Sequence, residues 1–309
     1  MSKPFGDQIF SNISRLSGVF LVASFFAIGL SLIVMSWPSI RHFGLSFVWS
    51  TAWNPVTKDF GALPAIIGTL LSSIIALFIA VPISFGVAIM ITQILPRRPA
   101  QFIARLVELT AAIPSIIYGM WGLFVLAPFM AKHIQPGLIN TFSHIPVLNY
   151  VFGGLPIGIG IFTAGIILAI MILPLISSMM RDVISNVPDL MKEAAYGVGA
   201  TRFEVIRHVM LHYARAGLIG GIILGLGRAL GETMAVTFVI GNSHQLPTAL
   251  FMPGTTISAT IANEFTEATG KLYTSSLIEL SVILMVITFA TLIISRYWLR
   301  RGKTRGGSQ

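Results

Sequence analysis

Arg228 and Glu232 stand four residues apart in GLGRALGETMAVTFVIGN (225–242), a stretch with no other charge. A guanidinium presents a planar fork of N–H donors that matches two oxygens of a tetrahedral oxyanion. On a continuous helix the two side chains would share a face, one turn apart. Two readings stay open. In one, the pair is a lock between helices. In the other, Arg228 is the contact for a crossing anion, with Glu232 holding it when no anion is present. Ser115, directly after Pro114, could line a polar path or bond back to its own helix. Glu108 and Glu279 are further carboxylates at or within apolar stretches.

Other constellations lead to less chemistry. Glu204, His208 and His212 recur every fourth residue and could share a helix face, as a zinc site requires. A fourth ligand is not evident and a solvated polar face accounts for the spacing, so no metal is expected. RGKT (301–304) resembles the end of a phosphate-binding loop, but Tyr297 stands where that loop needs glycine. An ATPase centre in this chain is therefore not expected. No Ser–His–Asp or metalloprotease pattern appears, and the absence of cysteine excludes disulfides and thiolate metal sites.

These residues are carried by a very apolar chain. Of 309 residues, 55% are hydrophobic and 10% charged, and the mean hydropathy is +0.85. A soluble domain is about a quarter charged, so the expected solvent is a bilayer. Apolar runs long enough to cross one lie near 17–36, within 63–94, and near 109–130, 157–180, 215–241 and 274–298. The first lacks a small-x-small cleavage site and reads as a retained helix rather than a signal peptide. Pro82, Pro114 and Pro174 are expected kinks. Arg228 lies thirteen residues beyond Arg215, which is about 20 Å along a helix and well inside the bilayer. Charges at that depth face the bundle interior or a water-filled path. Gly217, Gly221 and Gly225 form a small-residue face suited to close helix packing, within one subunit or between two.

Fifteen of the twenty Lys and Arg residues fall in the N-terminus, 93–108, 181–215 and the C-terminus, against four in the alternate segments. This asymmetry predicts that both termini and the 181–215 segment are cytoplasmic. The net charge of +9 then reflects topology, not nucleic-acid binding.

The segment 186–212 is unusually polar. Asp189 is placed to cap a short helix through Met191, Ala194 and Ala195, with Gly199 as its stop. Thr201-Arg202-Phe203-Glu204 reads as a capping box opening a second helix whose apolar face is Phe203, Ile206, Val209 and Met210. Ala194, Ala195 and Gly199 would let another protein approach closely. A short helix capped by Thr255 or Thr256 is expected in TTISATIANEFTEA.

Spacing here becomes specific. Glu193-Ala194-Ala195, three residues, Gly199, nine residues, then Val209-Met210-Leu211 resembles the "EAA" coupling loop of ABC importer permeases. That family usually ends the motif Ile-x-Leu-Pro; this chain has Val209 and His212 at those places. ELTAAIPSIIYGMWGLF (108–124), MRDVISNVPDLMKEAAYGVGA (180–200) and GLGRALGETMAVTFVIGN resemble the PstC-type permeases of phosphate importers, and the similarity runs over nearly the whole chain. PstA-type permeases share the Pro-Ser-Ile and Arg-Ala-x-Gly-Glu elements. Tyr118-Gly119-Met120-Trp121 and Met234-Ala235-Val236-Thr237 are more PstC-like.

The resemblance implies an all-α integral membrane fold: one permease domain over 1–309, with six transmembrane helices, type I-like, and a coupling loop at about 186–212. It implies a multi-pass protein of the bacterial cytoplasmic (inner) membrane that imports inorganic phosphate and is not itself an enzyme. Its partners would be a second, PstA-type six-span permease, two copies of a cytoplasmic ATP-binding subunit, an extracytoplasmic phosphate-binding protein and membrane lipid. No cofactor is bound by this chain; ATP is used by the partner. Arg228, Glu232 and Ser115 would belong to the substrate path, and Glu193, Ala194, Ala195, Gly199, Thr201 and Glu204 to ATPase coupling. The alternatives are a permease for sulfate or molybdate, or a secondary transporter or channel, in which inverted repeats are common.

Overall fold

The computed structural model describes residues 5–142, 144–145 and 151–304. Eleven helices and one hairpin matter for function. They are α1 (Phe5–Phe43), α2 (Ser46–Trp49), β1 (Trp53–Asn54) and β2 (Asp59–Phe60), α3 (Leu63–Ile94) and α4 (Arg97–Ala111). Next come α5 (Ser115–Phe142) and α6 (Ile161–Ser185), α7 (Asp189–Gly197) and α8 (Arg202–Leu230). The last are α9 (Met234–Thr237), α10 (Ile257–Glu264) and α11 (Lys271–Thr304). Six of them, α1, α3, α5, α6, α8 and α11, are long and apolar enough to cross a membrane. Each satisfies its backbone polar groups internally, as the bilayer demands.

The hub is α6. Two thirds (67%) of its apolar window is buried, against 6% for α1, so α6 is enclosed by protein while α1 is peripheral. Ile161, Ile167, Leu168, Ile172, Ile176, Met180 and Ile184 fill the centre. Gly217, Gly221 and Gly225 bring α8 onto this helix, against Val183, Met179 and Ile176, so that small-residue face packs within the chain. At one end a separate cluster of Phe47, Phe60, Ile257, Leu277 and Leu280 joins the hairpin to α10 and α11.

Several boundaries differ from the expected spans. Pro82 and Pro174 lie inside unbroken helices. Pro114 does more than kink: residues 112–114 interrupt the helix, and the third crossing segment begins at Ser115 and runs to Phe142. It carries wide π turns at Gly122–Leu126 and Met130–Ile134. The fifth does not continue to 241. It ends at Leu230, and residues 231–233 separate it from α9. It also starts earlier than expected, at Arg202, because His212 stands where a proline would have ended the preceding helix.

Candidate substrate path and coupling loop

Two helix interruptions inside the apolar body meet. Gly119, one turn into α5, faces Ala235, Met234 and Phe238 of the α9 region so closely that an added Cβ would lie 3.0 Å from the Ala235 Cα. This contact places the Pro114 break beside the Gly231 break. Arg228 occupies the last turn of α8 and is exposed. There a cation interacts favourably with the unpaired carbonyls of the helix end. Its charge acts on Tyr118, whose hydroxyl donates to the Thr110 carbonyl at 2.8 Å. Ser115, half-buried, is the first residue of α5. Its hydroxyl makes no hydrogen bond among the described residues, so bonding back to its own helix does not occur.

Of the two readings left open, the Arg228–Glu232 lock is absent among the described residues. Glu232 lies beyond the end of α8, so the two do not share a helix face. Its Oε1 instead accepts the Ala235 backbone N–H at 3.2 Å, capping α9. Among the described residues Arg228 has no ion pair. Glu108 is also committed: it binds Arg181 of α6 at 2.8 Å, and Arg181 also holds Asp182 at 2.9 Å.

The loop between α6 and α8 is built from local rules. Pro188, not Asp189, is the N-cap of α7. Asp189 instead bonds Lys192 at 2.6 Å, and that ammonium holds the carboxyl below its usual range. Two residues past the end of α7, Gly199 turns the chain at φ +86°. The Gly199 N–H reaches the Tyr196 carbonyl and the Ala200 N–H the Ala195 carbonyl, 2.9 and 3.1 Å, the two bonds of a Schellman cap. Thr201 then opens α8 with a full capping box. Its N–H and hydroxyl donate to Glu204 Oε2 at 2.8 and 2.7 Å, and Glu204 N–H donates back to the hydroxyl at 3.4 Å.

One side of this loop is anchored. Val205 and Met210 are buried, and Ala195, Ala200, Ile206 and Val209 pack on the same core as Ile184 and Val187. The other side is open: Glu193, Ala194 and Gly199 are exposed, and so are Leu190, Tyr196, Val198 and Phe203. Phe203, expected on the packed face, is among these free apolar groups. Val205 takes its place inside.

A third constellation had no precursor in sequence spacing. The Glu264 carboxylate, at the end of α10, accepts Trp53 Nε1–H at 2.8 Å and Tyr273 O–H at 2.6 Å, and bonds His244 Nε2 at 2.5 Å. Trp53 stacks on His244, ring centres 5.0 Å apart. Burial pushes the Glu264 carboxyl up, but the bonds from His244, Tyr273 and Trp53 outweigh it and leave it below the ordinary range. Thr256 caps α10 by accepting Ala259 N–H at 3.1 Å.

Six helices long and apolar enough to cross a membrane, a hub of close packing and an exposed capped loop define a helical membrane protein. Residues 80–302 match the profile of the binding-protein-dependent transport system inner membrane components, and the chain belongs to that family as a multi-pass inner-membrane protein. It is 54% identical over 302 residues to the "Phosphate transport system permease protein PstC" of Mesorhizobium japonicum, covering 98% of this chain and 92% of that one. A relative of the same name from Pasteurella multocida is 51% identical over 97% of this chain and 94% of that protein. Among solved structures, a bacterial alginate ABC transporter in complex with an alginate-bound periplasmic protein aligns over 96% of this chain and 95% of its own, TM-score 0.62 at 15% identity. The MetNI methionine ABC transporter in an inward-facing conformation aligns over 77% and 94%, TM-score 0.58 at 16% identity. These two share the fold.

Proposed function

We propose that this chain is the phosphate-translocating permease of an ATP-driven importer, working as one membrane domain. The observation that carries the reading is likeness to PstC proteins along nearly the full chain, at 54% identity in one case. Chemistry is consistent with it: Arg228 is exposed in the last turn of α8, unpaired among the described residues and beside Tyr118. Its fork suits a tetrahedral oxyanion. Glu232 holds the first turn of α9 through the Ala235 N–H, and Ser115 adds a free hydroxyl at the Pro114 break.

The charge asymmetry supports cytoplasmic termini. The loop 186–212 then faces the cytoplasm, where Glu193, Ala194, Ala195 and Gly199 offer a small, open surface to an ATPase subunit. Thr201 and Glu204 fix the turn behind it. ATP hydrolysis belongs to two copies of that partner, and this chain holds no cofactor of its own. A PstA-type permease completes the path, and an extracytoplasmic binding protein delivers phosphate to the opposite face, where the Glu264 cluster lies.

The test is reconstitution of the chain with these partners in vesicles. ATP-dependent uptake of radiolabelled phosphate should resist excess sulfate and molybdate. Equal competition by either would overturn the assignment of phosphate, and uptake without ATP would overturn the importer.

A further inference from the structure

We propose that Glu279 is an intramembrane proton site, and that its O–H latches α1 to α11. Glu279 stands eight residues past Lys271, in a helix long and apolar enough to cross a membrane, which puts it about 12 Å along that helix. It is buried, and its Oε2 has no hydrogen-bond partner among the described residues. It joins no ion pair among them. Its carboxyl meets the Ser39 hydroxyl of α1, and no charged group acts on it. On the elements packed against it, Arg41, His42, Arg228 and Lys271 are exposed, and Glu264 is bound to Trp53, Tyr273 and His244.

The hydrogens in this cluster can be counted. Ser39 Oγ lies 3.0 Å from Ser276 Oγ, and Ser276 Oγ lies 2.9 Å from the Leu272 carbonyl. With the contact between Ser39 and Glu279, three oxygen–oxygen contacts form one row. Each hydroxyl has a single O–H, so Ser39 and Ser276 fill two of the three. A carbonyl only accepts, and the third hydrogen must come from the carboxyl. The row then runs one way: Glu279 donates to Ser39, Ser39 to Ser276, and Ser276 to Leu272. The adjacent buried hydroxyls cannot supply it. Ser36 and Ser275 bond back to the Ile33 and Leu272 carbonyls at 3.0 and 2.9 Å. An ionised carboxylate would leave one contact without a hydrogen and one charged oxygen without a donor, at a depth where charge is expensive.

The latch sits where apolar packing discriminates least. Helix α1 is peripheral and runs antiparallel to α11. The Phe25 and Phe289 ring centres are 5.2 Å apart, and a Cβ on Gly29 would lie 3.6 Å from Met285 Sδ. For such a helix lipid is as apolar a neighbour as α11, so close packing and interhelical hydrogen bonds decide the docking. Helix α1 also lies outside residues 80–302, the part that matches the family profile. Its attachment is thus a feature added to the shared core.

The experiment has two readouts on the full chain in lipid vesicles at neutral pH. Infrared difference spectroscopy between wild type and Glu279→Gln should show the carbonyl stretch of an un-ionised carboxylic acid in wild type alone. A carboxylate band in its place would overturn the proton site. The second readout is docking. The chain has no cysteine, so Val19→Cys and Ile293→Cys, both exposed positions, can carry a pair of spin labels. The fraction of pairs out of dipolar contact reports undocked α1. Glu279→Gln keeps a neutral donor and should dock as wild type. Glu279→Leu and Ser39→Val should each raise the undocked fraction about 3- to 10-fold, the scale of one interhelical hydrogen bond. Undocking or misfolding of Glu279→Gln would show that the charge is needed and overturn the proposal. Wild-type docking in Glu279→Leu would overturn the latch. Should Glu279→Leu fail to fold, Ser39→Val and the infrared difference still decide.

Discussion

The Glu232 carboxylate lies 3.2 Å from the Ala235 backbone N–H, three residues ahead, and closes the first turn of the helical piece that follows the break in α8. The acid therefore serves the backbone, and the base one turn before the break is left to other partners. Interrupted helices are tolerated at membrane depth where the freed groups are satisfied by protein or line a polar path. Here Glu232 satisfies one N–H, and the Thr237 hydroxyl bonds the Thr233 carbonyl at 2.7 Å.

Because no ion pair links them, Arg228 and Glu232 should behave independently. Arg228→Gln should assemble normally and bind the ATPase, yet lose about 10- to 100-fold in phosphate uptake, the scale of one charge-assisted hydrogen bond. Adding Glu232→Gln should not restore transport. Uptake by reconstituted vesicles, with co-purification as the assembly readout, checks both. Restored transport in the double variant would show that the two do pair during the cycle.

The loop around Gly199 was readable because its rules act over three to five residues. A glycine stop and a Thr–Glu box are local geometry, and both formed. The six crossing segments were readable because a bilayer demands long apolar helices. The ends inside them were not. Pro114 is compatible with a kink or a break, and Gly231 with packing or a break; contacts between α5 and α9 decide. Assuming a continuous helix put Glu232 one turn above Arg228, whereas three residues of non-helical chain give it Ala235. The Glu264 cluster was beyond reach: its Trp53 partner is 211 residues away, and no spacing in a single sequence encodes that meeting.

Gly199 is required for its backbone. Its φ is +86°, and a Cβ added there would meet nothing within 4 Å, so no clash in this chain excludes a side chain. A left-handed conformation costs an ordinary residue about 1–2 kcal/mol. Asparagine visits it more readily than alanine, and a β-branched residue least. ATPase association should fall in the order Gly, Asn, Ala, Val at position 199. An alternative order by side-chain volume, with Asn below Ala, would mean that the ATPase surface, not the turn, imposes the glycine. Binding of the purified ATPase to each variant in detergent distinguishes the two.

Glu264 makes the Trp53–His244–Tyr273 cluster sensitive to acid. Its folded carboxyl titrates below the ordinary 4.5. The ionised form is thus favoured by folding, and its stabilisation is complete above the unfolded value and lost as pH falls through the folded one. Melting temperature of the wild-type chain should drop from about pH 4.5 downward. Glu264→Gln should be less stable at neutral pH, because it loses the charge that receives Trp53, Tyr273 and His244, and should lack that part of the acid dependence. Parallel curves for the two proteins between pH 6 and pH 3 would remove Glu264 as the cause.

Gly119 holds the two helix breaks together, and its replacement should separate them. A Cβ there would lie 2.8 Å from the Phe238 ring, 3.0 Å from the Ala235 Cα and 3.1 Å from the Met234 carbonyl. The ring can rotate, but the two backbone atoms can yield only if α9 shifts from α5. Overpacking of this kind costs about 1–3 kcal/mol. Since α9 carries the N–H that Glu232 caps, the shift also moves the chain next to Arg228. Gly119→Ala should therefore retain assembly with reduced phosphate uptake, and Gly119→Val should lose both. The discriminating measurement is crosslinking between single cysteines introduced at Ile116 and Met234. Its yield should fall in Gly119→Ala in proportion to uptake. An unchanged crosslink with lost uptake would place the defect elsewhere on the path, and unchanged uptake with a lost crosslink would show that transport does not depend on the contact between the breaks.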